Sequence, residues 1–308
     1  MYKYILKRIL MLIPVLLGVT FIIFTLSYIT PGDPATMTLG EGSPPEAIEA
    51  LREEWGLNDP FLVRFVRYVA QAAQGNLGET YSTRRLVIDE IMIRFPATLQ
   101  LAVMGLVISI ILGIPLGVIS ATKQYSLFDN FATIFGLIFV SIPNFWLGMM
   151  LVVFFSVNLG WLPPSGFDTP LHWILPALTL GTGQMAVVMR MSRSSMLEVI
   201  RQDYIRTARA KGQKESVIVW SHALRNALIP VVTAVGLSFG FLLGGAVLTE
   251  TIFSINGIGR FMVQAINMRD HPIINGGVLF LAVSFSIVNL AVDILYAYLD
   301  PRIKSQYK

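Results

Sequence analysis

Six uncharged, strongly apolar intervals divide this chain, and they constrain its fold more than any other feature. They cover residues 9–28, 95–122, 130–167, 169–189, 226–249 and 271–292. Each reaches the ~20 residues that a helix needs to cross the hydrocarbon core of a bilayer. None alternates apolar and polar residues as a strand of an outer-membrane barrel would. Charged residues make up 14% of the chain, well below the ~25% of a soluble domain. The pattern predicts an all-α polytopic membrane protein with six transmembrane helices. Residues 130–167 are too many for one span, but Gly160, Pro163, Pro164 and Gly166 mark their second part as a loop. One helix over 131–157 is expected there.

Lys3, Lys7 and Arg8 precede the first apolar run. That run is longer than the ~7–15 residues of a secretory signal and meets no small-x-small cleavage site. It is read as an uncleaved first helix, with a signal peptide as the alternative. With the N-terminus in the cytoplasm, 15 of the 23 basic residues fall on the cytoplasmic side and the C-terminus joins them. Acidic residues gather in the first external loop, as the positive-inside rule favours. The absence of cysteine excludes disulfides, thiolate metal sites and cysteine nucleophiles.

The chain divides into an N-terminal helix (1–30), an extracytoplasmic helical segment (31–94), a five-helix body (95–298) and a cytoplasmic tail (299–308). In the second part, helical spacing over 44–56 and an amphipathic pattern over 60–74 predict a small helical insert after helix 1. Small residues recur at Gly113 and Gly117, and at Gly236, Gly240 and Gly244, a spacing that permits close helix packing. Pro115, Pro143 and Pro176 are expected to kink their spans.

Between the fourth and fifth intervals lies a basic segment, 192–226, with ten charged residues. Burying it in lipid would cost about 25–35 kcal/mol, so it stands in water. Leu197, Ile200, Tyr204 and Ala208 predict an apolar stripe on one helix, which Gly212 ends. Val217, Ser221, Leu224 and Leu228 predict a second helix running into span five. A helix–glycine–helix projection mounted on two spans can pass a push to them; a solvated basic loop answering to anionic lipid is the alternative.

Asp203-Tyr204-Ile205-Arg206-Thr207-Ala208-Arg209-Ala210-Lys211-Gly212, with Leu228-Ile229-Pro230 beyond it, resembles the coupling motif of ABC importer permeases. Arg206-Thr207-Ala208 stands where the archetypal acid and first alanine fall. Further motifs resemble the dipeptide/oligopeptide/nickel branch: Pro31-Gly32-Asp33-Pro34, Ile142-Pro143-Asn144-Phe145-Trp146, Gly257-Ile258-Gly259-Arg260 and Asp300-Pro301-Arg302. The resemblance covers essentially the whole chain. It implies a type I ABC importer transmembrane domain, paired with a second homologous permease. Two cytoplasmic ATPases would bind ATP and Mg, and an extracytoplasmic peptide-binding protein would deliver substrate. Asp203, Tyr204, Thr207, Ala208, Ala210, Lys211 and Gly212 would then be the ATPase-coupling residues. Dipeptides or oligopeptides are the implied cargo, with glutathione or chelated nickel as alternatives, and a bacterial or archaeal inner or plasma membrane is the implied location.

The chain has no G-x-x-x-x-G-K-S/T loop and no hydrolase motif, so neither cofactor nor catalytic residue is expected in it and no nucleic-acid partner is implied. His172, His222 and His271 are scattered, and no metal site is expected. Asp293 is expected to pair with Arg190 or Arg193, and Glu250 to be structural or to face water. A proton-coupled secondary transporter, the rival class, would want buried carboxylates near the midplane. The polar outer loop 251–275 suggests contact between the binding protein and Gly257, Arg260 and Arg269. A connector that only packs on span six is the alternative.

Overall fold

Inside lipid every backbone N–H and C=O must find its partner within the segment, which leaves helix as the solution for isolated apolar runs. The computed structural model describes residues 2–299, with side chains from 6 to 295. The motif at Asp300-Pro301-Arg302, nearly all of the tail 299–308 and the side chain of Lys3 lie outside the described residues. Among the described residues five units are long and apolar enough to span: α1 (Tyr2–Ile29), α5 (Val87–Thr122), α8 (Pro170–Ile200), a unit running from α10 (Glu215–Val217) through a π-helical stretch (Ile218–Ala223) into α11 (Leu224–Gly245), and α14 (His271–Leu299).

The remaining apolar run is not the single straight helix expected over 131–157. It forms α6 (Leu127–Ser141) and α7 (Asn144–Leu151), the latter continued by π-helical turns to Asn158, and the two halves meet at 100°. Proline at 143 disfavours helical backbone at the residue before it, and Ile142 is extended (φ −76°, ψ 125°). Counted as one broken span, the pair completes six. Pro115 and Pro176 lie inside continuous helices instead.

Two glycine-lined seams bind the spans. Along α5 and α8, a Cβ added at Gly117 would lie 2.5 Å from the Met189 carbonyl, and one at Gly181 2.8 Å from that of Gly105. Backbones this close leave no room for side chains at those positions. On α11, Gly236 and Gly240 abut Val292 and Phe285 of α14, but Gly244 has nothing within 4 Å, so the expected three-glycine face packs at two positions. At its other side α14 meets α1. Ser27 Oγ donates to Asn275 Oδ1 at 3.1 Å and Arg8 pairs with Asp293 at 3.1 Å. The expected pairing of Asp293 with Arg190 or Arg193 is thereby corrected, because α1 brings its own cation to that end of α14.

The insert after α1 holds α2 (Pro34–Leu39), α3 (Pro45–Glu54) and α4 (Phe61–Ala72). Asp33 caps α2 by accepting from Thr36 N at 2.9 Å, and it takes Arg52 of α3 at 3.2 Å. Phe61 and Phe65 of α4 lie edge-on against Phe21 and Phe24 of α1, with ring centroids 5.4–5.9 Å apart. The insert therefore lies on the first span and not free in solvent. Beyond α11 come α12 (Val247–Ile252) and α13 (Ile258–Met268), which link the fifth and sixth spans.

Candidate functional site

Past the end of α8, Gln202 takes an extended conformation (φ −73°, ψ 150°) and a new helix, α9 (Asp203–Ala210), begins. That break shifts the helical phase. The stripe expected through Tyr204 is corrected accordingly: Ile205 is fully buried and Tyr204 is exposed. Leu197, Ile200 and Ala208 pack only at the margin of the same cluster. The π-helical stretch shifts the phase again after Gly212. The buried seam there is Ile218, Val219, Ala223 and Ala227, while Val217 and Ser221 face solvent.

Beneath α9, Ile205 joins Val118 and Ala121 of α5, Met196 of α8 and the Ile218–Ala227 seam in one apolar cluster. The helix α9 is therefore packed against the ends of three spans. Asn226 Nδ2 also donates to Tyr204 Oη at 2.7 Å. Gly212 closes the helix with φ +72°, and its amide donates to the Arg209 carbonyl at 2.9 Å. Arg209 reaches across that turn to Glu215 with two hydrogen bonds, of 2.6 and 3.1 Å. Asp203, Thr207, Ala210 and Lys211 are exposed and Ala208 half-buried. Ile205→Ala is expected to cost about 2 kcal/mol, as a truncation that a short surface helix partly accommodates. Faster tryptic cleavage at Arg206 and Arg209 in the variant would register the loosening; unchanged cleavage would refute it.

One residue that sequence reasoning missed sits beside this cluster. Asp129 of α6 is 2% exposed and receives Arg193 of α8 through Nε and Nη2, each at 2.8 Å. Tyr125 N donates to it at 2.9 Å, and Ser120 of α5 adds a hydroxyl bond. The site joins α5, α6 and α8 through one carboxylate. A signal was present, since Asp129 is the sole acid between Glu90 and Asp168.

On the opposite side, Glu250 of α12 is fully buried, which corrects the expectation that it could face water. Thr98 Oγ1 donates to it at 2.6 Å and Arg260 N at 3.0 Å, while Ile258 N donates to Thr98 Oγ1 at 2.9 Å. Burial pushes its carboxyl above the usual carboxylate range, opposed by the bonds from Thr98, Arg260 N and Gly259 N. Gly257 is buried against this carboxyl group: a Cβ there would lie 2.3 Å from its carbon. The Gly257-Ile258-Gly259-Arg260 motif thus wraps Glu250 at the start of α13. Arg269 ends α13 in the left-handed region (φ +56°), and its side chain lies over Gly32.

A groove of about 720 Å³ runs between α8 and α11. Gln184, Thr233 and Ser238 supply its polar groups, and Met191, Leu237 and Phe241 its apolar walls. Leu237 and Phe241 are more than half exposed. The Thr233 hydroxyl is buried and has no hydrogen-bond partner among the described residues.

Comparison with known proteins bears on all of this geometry. Residues 113–305 match the family described as binding-protein-dependent transport system inner membrane component, and residues 1–102 match its N-terminal membrane component. A dipeptide transport system permease protein of Alkalihalophilus pseudofirmus is 45% identical over 99% of this chain and 100% of its own length. A glutathione transport system permease protein of Escherichia coli is 43% identical over 99% of both chains. A crystal form of the MetNI methionine ABC transporter, described as inward facing, superposes with a TM-score of 0.60. The match covers 69% of this chain and 97% of that one, at 20% identity, and shows a shared fold. The chain therefore belongs to the family of binding-protein-dependent inner membrane components: it is a membrane permease subunit of an ATP-binding-cassette importer, and not an enzyme.

Proposed function

We propose that this chain is one of two permease subunits that together import dipeptides or oligopeptides, driven by two cytoplasmic ATPases that hold ATP and Mg and seat α9 in a groove. The carrying observation is the seating of α9. Ile205 anchors it into the ends of three spans, while Asp203, Thr207, Ala210 and Lys211 are left facing outward. Closure of the ATPases then moves the spans as a population shift, which requires that they bind one permease state more tightly than the other. The positive-inside balance supports cytoplasmic N- and C-termini.

The groove between α8 and α11 serves in this reading as one wall of the translocation path, and the second permease covers Leu237 and Phe241. An extracytoplasmic binding protein delivers the cargo. Gly257 is an unsuitable contact for it because it is buried, whereas Arg260 and Arg269 are half-buried and keep part of their surface available. Peptide cargo is favoured over chelated nickel because the two full-length relatives are named for a dipeptide and for glutathione, itself a peptide.

Gly212 provides the test. A Cβ there meets nothing within 4 Å in this chain, so any replacement costs the chain only the left-handed strain of about 1 kcal/mol, and least for asparagine. In proteoliposomes with partner subunits and ATP, Gly212→Asn is expected to retain most dipeptide uptake. Gly212→Trp, with unchanged thermal stability, is expected to lose about tenfold or more, equivalent to about 1.4 kcal/mol of lost coupling. Full uptake by Gly212→Trp, or uptake driven by a proton gradient without ATP, overturns the reading.

A further inference from the structure

The outer insert encloses a polar cavity of about 390 Å³, walled by the end of α1, by α4, by the loop leading to α5 and by the start of α14. This volume lies within the range of small-ligand sites. It is separate from the groove between α8 and α11, and nothing in the transport reading uses it.

Its interior is built from buried polar groups with spare hydrogen-bonding capacity. His271 is 8% exposed, and its Nε2 has no partner among the described residues; nor does the buried hydroxyl of Tyr68. Asn275 is 4% exposed and uses its carbonyl oxygen to accept from Ser27, which leaves its amide as a donor. A native fold rarely buries such groups unsatisfied.

The charges are equally specific. Arg67 pairs with Asp59 at 2.6 Å, and Arg84 pairs with Glu54. Arg64 differs: among the described residues it has no carboxylate within 4 Å. It donates to the Leu57 carbonyl at 3.3 Å, and its guanidinium lies 5.5 Å from the centre of the Tyr28 ring. Glu79, also on the wall, is exposed. The cavity wall thus offers a half-buried cation, buried neutral donors and an exposed acid.

We infer that this cavity is a binding site for a small zwitterion, an amino acid or dipeptide whose carboxylate is held by Arg64, Tyr68 and Asn275 and whose ammonium faces Glu79. A guanidinium is the side chain best matched to a carboxylate, and a charge-assisted bond is about twice as strong as a neutral one. The site takes the same chemistry as the proposed cargo but does not depend on that proposal. It would hold its ligand at the outer surface whether or not the ligand is transported.

Trp55 isolates the site experimentally, because it lines the cavity and stacks on Tyr81 at 3.9 Å. The full-length chain in lipid nanodiscs would be titrated with L-alanyl-L-alanine. The signal read is the fluorescence difference between the parent and Trp55→Phe, which excludes binding in the translocation groove. A saturable difference signal is expected, weakened about tenfold or more by Arg64→Gln and by C-terminal amidation of the peptide, and about threefold to tenfold by Tyr68→Phe. N-acetylation should weaken it less than amidation. If Arg64→Gln perturbs folding, Tyr68→Phe with an unchanged melting temperature decides. No Trp55-dependent signal up to about 10 mM, equal binding of the amidated peptide, or parent-like affinity in Tyr68→Phe each overturns the inference.

Discussion

Asp129→Ala is expected to destabilise the chain by about 3 kcal/mol, the lower end of what breaking a buried ion pair costs. The lower end applies because the Arg193 side chain is 27% exposed and keeps some water, whereas that of Asp129 is 3% exposed. The loss does not come from the attraction alone. Removing the carboxylate leaves a guanidinium at the junction of α5, α6 and α8, and it strips Tyr125 N and Ser120 Oγ of their acceptor. Arg193→Ala should cost at least as much, since it leaves the more deeply buried carboxylate without its counter-charge, with only Tyr125 N and Ser120 still donating to it. The double variant should be markedly less harmful than the sum of the two. Thermal unfolding of the four proteins in one detergent closes the cycle, and additivity within about 0.5 kcal/mol would show that the pair contributes no coupling.

Gly257→Ala is expected to be at least as damaging, by about 3 kcal/mol. Its methyl group would need space occupied by a fully buried carboxyl, 2.3 Å away, that is itself held by Thr98 and Arg260 N. Overpacking typically costs about 1–3 kcal/mol, and here the displaced group also gives up hydrogen bonds worth about 1–3 kcal/mol if left unmade. Gly244→Ala supplies the contrast. That glycine lies inside α11 with nothing within 4 Å, so alanine should stabilise it by about 0.5–1 kcal/mol. Shortening the acid should relieve the first defect, making Gly257→Ala/Glu250→Asp better than the two losses combined. Melting temperatures measured in parallel would decide. A harmless Gly257→Ala would mean that the Glu250 collar is looser than the structure shows.

The spans were legible from sequence because exclusion from water acts residue by residue along a continuous run, and no tertiary information is needed to see it. Two of the three insert helices, α3 and α4, were legible for a related reason: Pro44 and Pro60 mark where they start, and the aromatic spacing of Phe61 and Phe65 marks the face that packs; α2 was not read. Periodicity failed where the backbone breaks phase. Counting from Ile200 to Tyr204 assumes one helix, but the extended residue at Gln202 turns the next helix so that Ile205 points inward. The bend at Pro143 is of the same kind, since hydropathy is blind to direction. Pairings that join distant segments, such as Asp129 with Arg193 or Arg8 with Asp293, depend on which helices are neighbours. Charge counting therefore assigned Asp293 the wrong arginine. Gly257 was read for an outward contact, but it lies buried against Glu250, because a motif in sequence does not reveal whether it faces outward or inward.

The contact between α1 and α14 has a consequence for how the chain is made. Ser27 and Asn275 meet across 248 residues. At a ribosomal pace of about 5–20 residues per second, the first helix waits roughly 12–50 s for its final neighbour. Through that interval the aromatic ridge of α4, which follows α1 closely in the chain, is already there to cover Phe21 and Phe24. The first span is thus partly covered by its own insert before α14 reaches it.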